Sequence, residues 1–366
     1  MENKENNGKN NNSMNLKKIK KINNEGIDKT RISHLNIQFY KNIFESSYND
    51  DFSCSYANTF IVFESIDNIL LLIYPNKEKS IILYDLNNFQ IISEIKNAHI
   101  INISQIRHYL DKKNKIDYII SVSAYENNIK LWNIKNGTCI HNFLNINKKG
   151  ILYSACFLNN NNNNYILTSN INFLSNIDPI KVFDFNGNQI KIIENTRENT
   201  YFIENYYDEN LSKNFIIVCT NETIKSYDYN SNKIYQNYYK KDNGKLITDI
   251  IINKENDIIK LIESDNYGFI SIFNFHSGLL LNKINVNKNG LLTICLWNNE
   301  YLFVGCKDNS IKLINLKEGN IVKNLIAHKN WVITIKKINH RKLGECLISQ
   351  GIHYDQIKLW INNNKN

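Results

Sequence analysis

The stretch Asn128–Ile134 reads NIKLWNI, and six similar stretches lie elsewhere along the chain. Each copy is a short, largely apolar run that ends in one large anchor side chain, and in six of the seven copies Asp or Asn follows the anchor. Neighbouring anchors are 41 to 51 residues apart. The anchors are Tyr84, Trp132, Phe183, Tyr227, Phe273, Ile314 and Trp360. This spacing indicates a chain built from seven copies of one structural unit.

Each unit is predicted to contain four short strands. Turns with glycine follow several anchors, as at Gly137 and Gly278, and strand-forming runs such as Thr138–Leu144 come next. No segment keeps a helical period. The polar stretches Asn159–Asn164 and Asn170–Asp178 are predicted to be loops. Because about 40–45 residues with four strands are typical of a propeller blade, the sequence predicts an all-β fold, a seven-bladed β-propeller of four-stranded antiparallel blades.

The last unit lacks its fourth strand, because only six residues follow Trp360. Its sheet edge would then be exposed. We therefore expect an N-terminal strand, within either Leu35–Ile43 or Asp51–Tyr56, to complete the last blade and close the ring. Residues 1–31 are polar and basic and are predicted to form a disordered tail, with the propeller spanning residues 32–366.

Composition argues against several classes of protein. The net charge of +9 is spread along the chain, and only four arginines occur, so specific binding to nucleic acid is not expected. The seven cysteines include no C-x-x-C pair, which favours reduced, buried thiols in the cytosol. No apolar run is long enough to span a bilayer. We expect a cytoplasmic protein, and the basic cluster Lys17–Lys21 leaves a nuclear location open.

The repeats resemble those of the WD-repeat family, whose blades begin near a Gly-His element and later contain a strand similar to Ile-Lys-Leu-Trp-Asp. Here Ala98-His99 and Ala327-His328 are similar to the first element, and Gln356–Trp360 is similar to the second. The resemblance implies a buried hydrogen-bonded network of Trp, Ser or Thr, His and Asp. Its members would be His328, Ser349, Asp355 and Trp360 in blade 7, and His99, Ser121 or Ser123, Glu126 and Trp132 in blade 2.

These Ser, His and Asp residues do not indicate nucleophilic catalysis, because the resemblance gives them a structural role and no G-x-S-x-G motif occurs. The histidines are dispersed without an H-E-x-x-H pattern, and no phosphate-binding glycine motif occurs. No metal, no cofactor and no small-molecule substrate are therefore expected. The chain is predicted not to be an enzyme.

The resemblance implies instead that loops at the top face of the propeller bind other proteins. Aromatic side chains at such a rim are frequent anchors of protein interfaces. The candidates for partner contact are Tyr125, Tyr267, Lys329, Trp331, His353 and Tyr354. The predicted function is a non-catalytic protein–protein interaction scaffold in a cytosolic complex. The alternatives are a substrate-receptor subunit of a ubiquitin ligase or similar complex, and an enzyme with its site in the central channel.

Overall fold

The structure is a computed structural model that describes residues 35–45, 59–144, 150–171, 179–193, 199–220, 223–238, 246–352 and 356–363. Over these residues the chain forms 28 strands and no helix, and the strands make seven antiparallel sheets of four. The predicted seven-bladed β-propeller is confirmed. All 28 strands belong to the compact unit Asn36–Asn366. The predicted tail and Cys54 lie outside the described residues.

The first strand of the chain, β1 (Ile37–Glu45), belongs to the last blade, and each of the other blades consists of four consecutive strands. Blade 1 contains β2 (Ile61–Glu64), β3 (Leu70–Pro75), β4 (Ile81–Asp85) and β5 (Gln90–Ile95). Blade 2 contains β6 (Gln105–Asp111), β7 (Ile116–Ser123), β8 (Asn128–Asn133) and β9 (Thr138–Phe143). Blade 3 contains β10 (Ile151–Asn160), β11 (Asn163–Ile171), β12 (Ile180–Asp184) and β13 (Gln189–Ile193).

The remaining blades repeat this order from the centre of the ring outwards. Blade 4 contains β14 (Thr200–Asp208), β15 (Lys213–Thr220), β16 (Ile224–Asp228) and β17 (Lys233–Asn237). Blade 5 contains β18 (Ile247–Glu255), β19 (Ile258–Asp265), β20 (Phe269–Asn274) and β21 (Leu280–Asn285). Blade 6 contains β22 (Leu291–Leu296), β23 (Tyr301–Cys306), β24 (Ser310–Asn315) and β25 (Asn320–Ile326). Blade 7 contains β26 (Val332–His340), β27 (Gly344–Gly351), β28 (Gln356–Asn362) and β1.

The N-terminal strand closes the ring, as predicted, and it comes from the first of the two candidate segments. Strand β1 pairs with β28 from Ile37 opposite Asn362 to Glu45 opposite Gln356, with two bulges. The backbone N–H of Asn36 donates to Oδ1 of Asn362 at 3.0 Å. The other candidate, Asp51–Tyr56, lies outside the described residues.

Apolar side chains between neighbouring sheets hold the ring together. The first strand of every blade contacts the first strand of the next blade, and β26 contacts β2. At that junction Phe60 and Tyr84 of blade 1 pack in one cluster with Ile348 and Leu359 of blade 7. Full burial of one such side chain stabilises the fold by about 1.5–3 kcal/mol.

The Asp or Asn after each anchor ends the third strand and starts the turn to the fourth. Its Oδ1 accepts a hydrogen bond from the backbone N–H two residues later, which makes an Asx turn. The six residues are Asp85, Asn133, Asp184, Asp228, Asn274 and Asn315. Ile361 takes this place in blade 7, and β28 runs on to pair with β1.

The prediction that Asn159–Asn164 forms a loop is wrong. Strands β10 and β11 continue through it, with Asn159 opposite Asn164 and Asn160 opposite Asn163. Only Asn161 and Asn162 form the turn, with φ of 51° and 63°. Asn tolerates this left-handed backbone better than most residues, so a two-residue hairpin turn fits a run that its polarity alone assigns to a loop.

Candidate functional site

Two sets of loops meet at one edge of the blades, which we call the top face. They are the loops that lead into each first strand and the turns between each second and third strand. In blade 2 these two sets touch directly, since Nδ1 of His99 lies 3.0 Å from Oε2 of Glu126. The top face contains Tyr125, Tyr267, Lys329 and Trp331, the four described residues for which the sequence predicts partner contact.

The predicted network of blade 2 is anchored on Ser121. Nε1 of Trp132 donates to Oγ of Ser121 at 2.8 Å, and Nε2 of His99 lies 2.7 Å from the same oxygen. Ser123 does not take part and donates to the carbonyl of Asn102. Trp132 pairs with Ile119, two residues before Ser121, whereas Ser123 lies four residues away and therefore about 13 Å along the strand.

Blade 7 repeats this geometry. Nε1 of Trp360 donates to Oγ of Ser349 at 2.8 Å, and Nε2 of His328 lies 2.7 Å from that oxygen. Trp360 again pairs with the residue two before the serine, Leu347. The fourth predicted member, Asp355, lies outside the described residues, as do the partner-contact candidates His353 and Tyr354.

Burial governs the electrostatics of the blade 2 network. It lowers the pKa of His99, although the bond to Glu126 opposes this effect. Burial also opposes ionisation of Glu126, but the bonds from Ile101 and His99 hold the pKa of its carboxyl below the usual range. The hydroxyls of Ser121 and Ser349 belong to fully buried residues. A substrate does not reach them, and the networks instead tie the top-face loops to the sheets.

Sequence reasoning missed a second device with the same effect. The lysine of the Ile-Lys-Leu segment donates to a carbonyl of the loop that leads into its own blade. Lys130 donates to Ala98 at 2.5 Å, Lys358 to Ala327 at 2.7 Å and Lys312 to Val286 at 3.5 Å. The lysine that recurs in the Ile-Lys-Leu segments could have indicated this contact, but in a lysine-rich chain a recurring lysine is not distinctive.

Four of the six predicted contact residues are described, and all four are exposed. Tyr125 is 45% exposed, Tyr267 47% and Trp331 38%, and Lys329 is also exposed. The structure adds Ile100, which is 84% exposed on the loop beside Tyr125. Tyr125 and Ile100 flank the His99–Glu126 pair of blade 2, whereas the other three residues lie on blades 5 and 7.

Sequence reasoning also missed a group of charges in the central channel. Nη1 of Arg107 in blade 2 lies 2.9 Å from Oε2 of Glu204 in blade 4. Both line a cavity of about 210 Å³ together with Asp249 of blade 5 and Lys336 of blade 7. Burial raises the pKa of Asp249 and lowers the pKa of Lys336. The cavity is thus lined by four Arg, Glu, Asp or Lys side chains, each from the innermost strand of a different blade.

Oδ2 of Asp249 also links two neighbouring blades. It accepts hydrogen bonds from Oγ1 of Thr293 and the backbone N–H of Ile294, each at 3.0 Å. A comparable link joins the first and last blades, where the hydroxyls of Thr59 and Thr334 are 2.9 Å apart. These contacts indicate that much of the polar lining of the channel serves to hold neighbouring blades together.

Within the described residues, no group of three His, Cys, Asp or Glu side chains has the geometry to hold a metal ion. The same part of the chain contains no helix that is long and apolar enough to cross a membrane. Neither the known protein-family models nor the curated protein sequences match this chain.

Proposed function

We propose that this chain is a non-catalytic scaffold of the WD-repeat type that binds partner proteins through its top face. The observation that carries the proposal is the exposure of large apolar side chains on loops that are tied down. Ile100 and Tyr125 project from the two loops that His99 and Glu126 join. Exposed aromatic and aliphatic side chains on a rigid surface bind with little loss of conformational entropy.

The WD-repeat assignment is supported by the two Trp–Ser–His networks. They occupy the same register positions in blades 2 and 7, and a network of this kind is what the resemblance implies for that family. We propose the cytosol as the compartment. The described cysteines are free, and five of the six are buried, which suits a reducing environment.

The test is a tagged pull-down with mass spectrometry at physiological salt, comparing the wild type with Ile100→Ser/Trp331→Ala. We expect a stoichiometric partner that disappears in the variant, because both exposed side chains lie on the top face. The matched control is Ile91→Ser/Leu280→Ser, which removes two exposed apolar side chains from the outermost strands β5 and β21. The control should keep the partner.

Retention of every partner by a folded Ile100→Ser/Trp331→Ala variant would contradict binding through the top face. Recovery of a ubiquitin-ligase adaptor as the stoichiometric partner would identify the scaffold as a substrate receptor. Turnover of a substrate by the purified protein, with loss of that turnover in Lys336→Met, would favour an enzyme with its site in the channel and overturn the non-catalytic proposal.

A further inference from the structure

Within the described residues, three lysines and two large aromatic side chains lie on the top face of blades 5 to 7, and we call this surface the basic sector. Tyr267 lies on the turn between the second and third strands of blade 5, and Lys307 lies on that turn of blade 6. Lys288 lies on the loop that leads into blade 6, and Lys329 and Trp331 lie on the loop into blade 7. All are exposed except Lys307, which is half-buried.

The basic sector is contiguous, because each of its loops bonds to the next. The backbone N–H of Lys307 donates to Gly290 at 3.1 Å, and that of Val286 donates to Gly268 at 2.8 Å. Nδ2 of Asn309 donates to the carbonyl of Lys329 at 3.0 Å. A continuous backbone frame therefore carries the five side chains from blade 5 to blade 7.

Two glycines make this frame close-packed. A Cβ atom at Gly268 would lie 1.5 Å from the carbonyl oxygen of Asn287, and one at Gly290 would lie 2.4 Å from that of Asn266. Both residues have positive φ, which favours glycine. The loops are therefore preorganised, and a ligand that binds them meets little entropic cost in ordering the surface.

The carboxylates of the sector are used internally. Oδ1 of Asp265 accepts the backbone N–H groups of Tyr267 at 3.0 Å and Phe269 at 2.9 Å, and Asp265 is 1% exposed. Oδ2 of Asp308 pairs with Lys312 at 3.1 Å. Among the described residues of these loops, the lysines are therefore the main source of the charge that the sector presents to solvent.

One of the aromatic side chains lies beside a lysine of the sector. Nζ of Lys307 is 5.1 Å from the ring centroid of Trp331, within the range of a cation–π interaction. This contact holds the indole beside the ammonium group, so that an apolar surface and a positive charge are offered together. A complementary ligand needs carboxylates next to apolar side chains.

From this arrangement we infer that the basic sector binds an acidic segment of a partner protein, with Trp331 packing against an apolar side chain of that segment. The inference rests on the proposed scaffold function. Lysines act as separate point charges, and the sector contains no arginine for bidentate contact with phosphate. Glu or Asp residues spaced along a peptide match Lys288, Lys307 and Lys329 better than a nucleic-acid backbone or a lipid headgroup does.

The test is fluorescence polarisation with a labelled peptide of alternating Glu and Leu, and with the matching peptide of Gln and Leu. The wild type should bind the first peptide more tightly, and added salt should weaken that binding. Lys307→Glu/Lys329→Glu should weaken it at least about tenfold. Because Lys307 is half-buried, the exposed pair Lys288→Glu/Lys329→Glu is a second variant, with the same expected direction.

The control variant is Lys77→Glu/Lys96→Glu. It makes the same change of charge on the equivalent turn of blade 1 and the equivalent loop into blade 2, and both residues are exposed. Its binding should change less than about twofold. Equal weakening by the control and the sector variants would overturn the inference, because binding would then follow the net charge. Binding of poly(U) RNA or phosphatidylserine vesicles, but not of the peptide, would also overturn it.

A pull-down separates this inference from the proposed function. If a partner is retained by Lys288→Glu/Lys329→Glu but lost from Ile100→Ser/Trp331→Ala, the scaffold function is supported and binding of an acidic segment by the basic sector is refuted. If the wild type recovers no specific partner, the scaffold function itself fails.

Discussion

Oγ of Ser349 accepts the indole N–H of Trp360 and is bonded to Nε2 of His328 in the core of blade 7. We predict that Ser349→Ala lowers the midpoint of urea unfolding by the equivalent of about 1–3 kcal/mol, because a buried donor then has no acceptor. The control is Ser93→Ala on the exposed strand β5, which should change stability by less than about 0.5 kcal/mol. Equal midpoints for the two variants would contradict the structural role of the network.

The two Trp–Ser–His networks show how far single residues of the candidate site could be predicted from the sequence. The anchors Trp132 and Trp360 and the histidines were recognisable because each stands beside a repeated motif. The choice between Ser121 and Ser123 was open, since both lie on the same face of β7 and only pairing with β8 separates them. The exposure of Ile100 depends on the path of a loop, and no local pattern encodes it.

Strand β1 is the element on which ring closure depends. It supplies the fourth strand of blade 7, and Phe39 packs edge-on against Trp360 with ring centroids 5.7 Å apart. We predict that deletion of residues 1–30 leaves the melting temperature nearly unchanged. Deletion of residues 1–46 should lower it strongly, because the edge of β28 and one face of Trp360 lose their cover.

A synthetic peptide that spans residues 35–46 provides the control for this deletion. Added in trans, it should restore part of the lost melting temperature, because it replaces the strand that pairs with β28. Unchanged melting of the longer deletion would refute closure by β1. Failure of the peptide together with recovery by a longer segment would indicate that residues beyond β1 also contribute to closure.

The ends of strands were predictable where a single turn sets them. The Asp or Asn after the anchor forms an Asx turn over only two residues, so its effect is local and six blades show it. The Asn159–Asn164 hairpin was missed for the opposite reason. Its strands are set by pairing between β10 and β11, and a row of identical residues carries no apolar alternation to reveal that pairing.

At the scale of the whole molecule, Arg107 and Glu204 connect blades 2 and 4 across the channel. We predict that Glu204→Gln destabilises the protein by about 2 kcal/mol, between the values typical of exposed and buried pairs, because Arg107 keeps its charge near Lys336. The double variant Arg107→Met/Glu204→Gln should recover part of that loss in urea unfolding.

A surface ion pair is the control for the channel pair. Lys213 and Asp228 lie 2.8 Å apart with Lys213 about half exposed, so Lys213→Met should lower the midpoint of urea unfolding much less than Glu204→Gln does. Strictly additive effects of Arg107→Met and Glu204→Gln would show that the two side chains do not interact in solution.

The channel charges could not be predicted from the repeat, although three of the four occupy one register position. Arg107, Glu204 and Lys336 each lie opposite an isoleucine of the second strand. Counted back from the anchor, however, they stand 25, 23 and 24 residues away. A shift of one residue moves a side chain to the other face of a strand. Because the turns between the first strand and the anchor differ in length, the distance from the anchor does not identify which residues face the channel.

The closure of blade 7 has a consequence for folding during synthesis on the ribosome. Asn36 and Asn362 are hydrogen-bonded although 326 residues separate them. At a synthesis rate of about 5–20 residues per second, roughly 16 to 65 s pass between their emergence from the ribosome. During that interval β1 has no sheet to join, and the ring of Phe39 cannot pack against Trp360. A chain that terminates before residue 356 lacks β28, so β1 can complete blade 7 only after translation has passed this point.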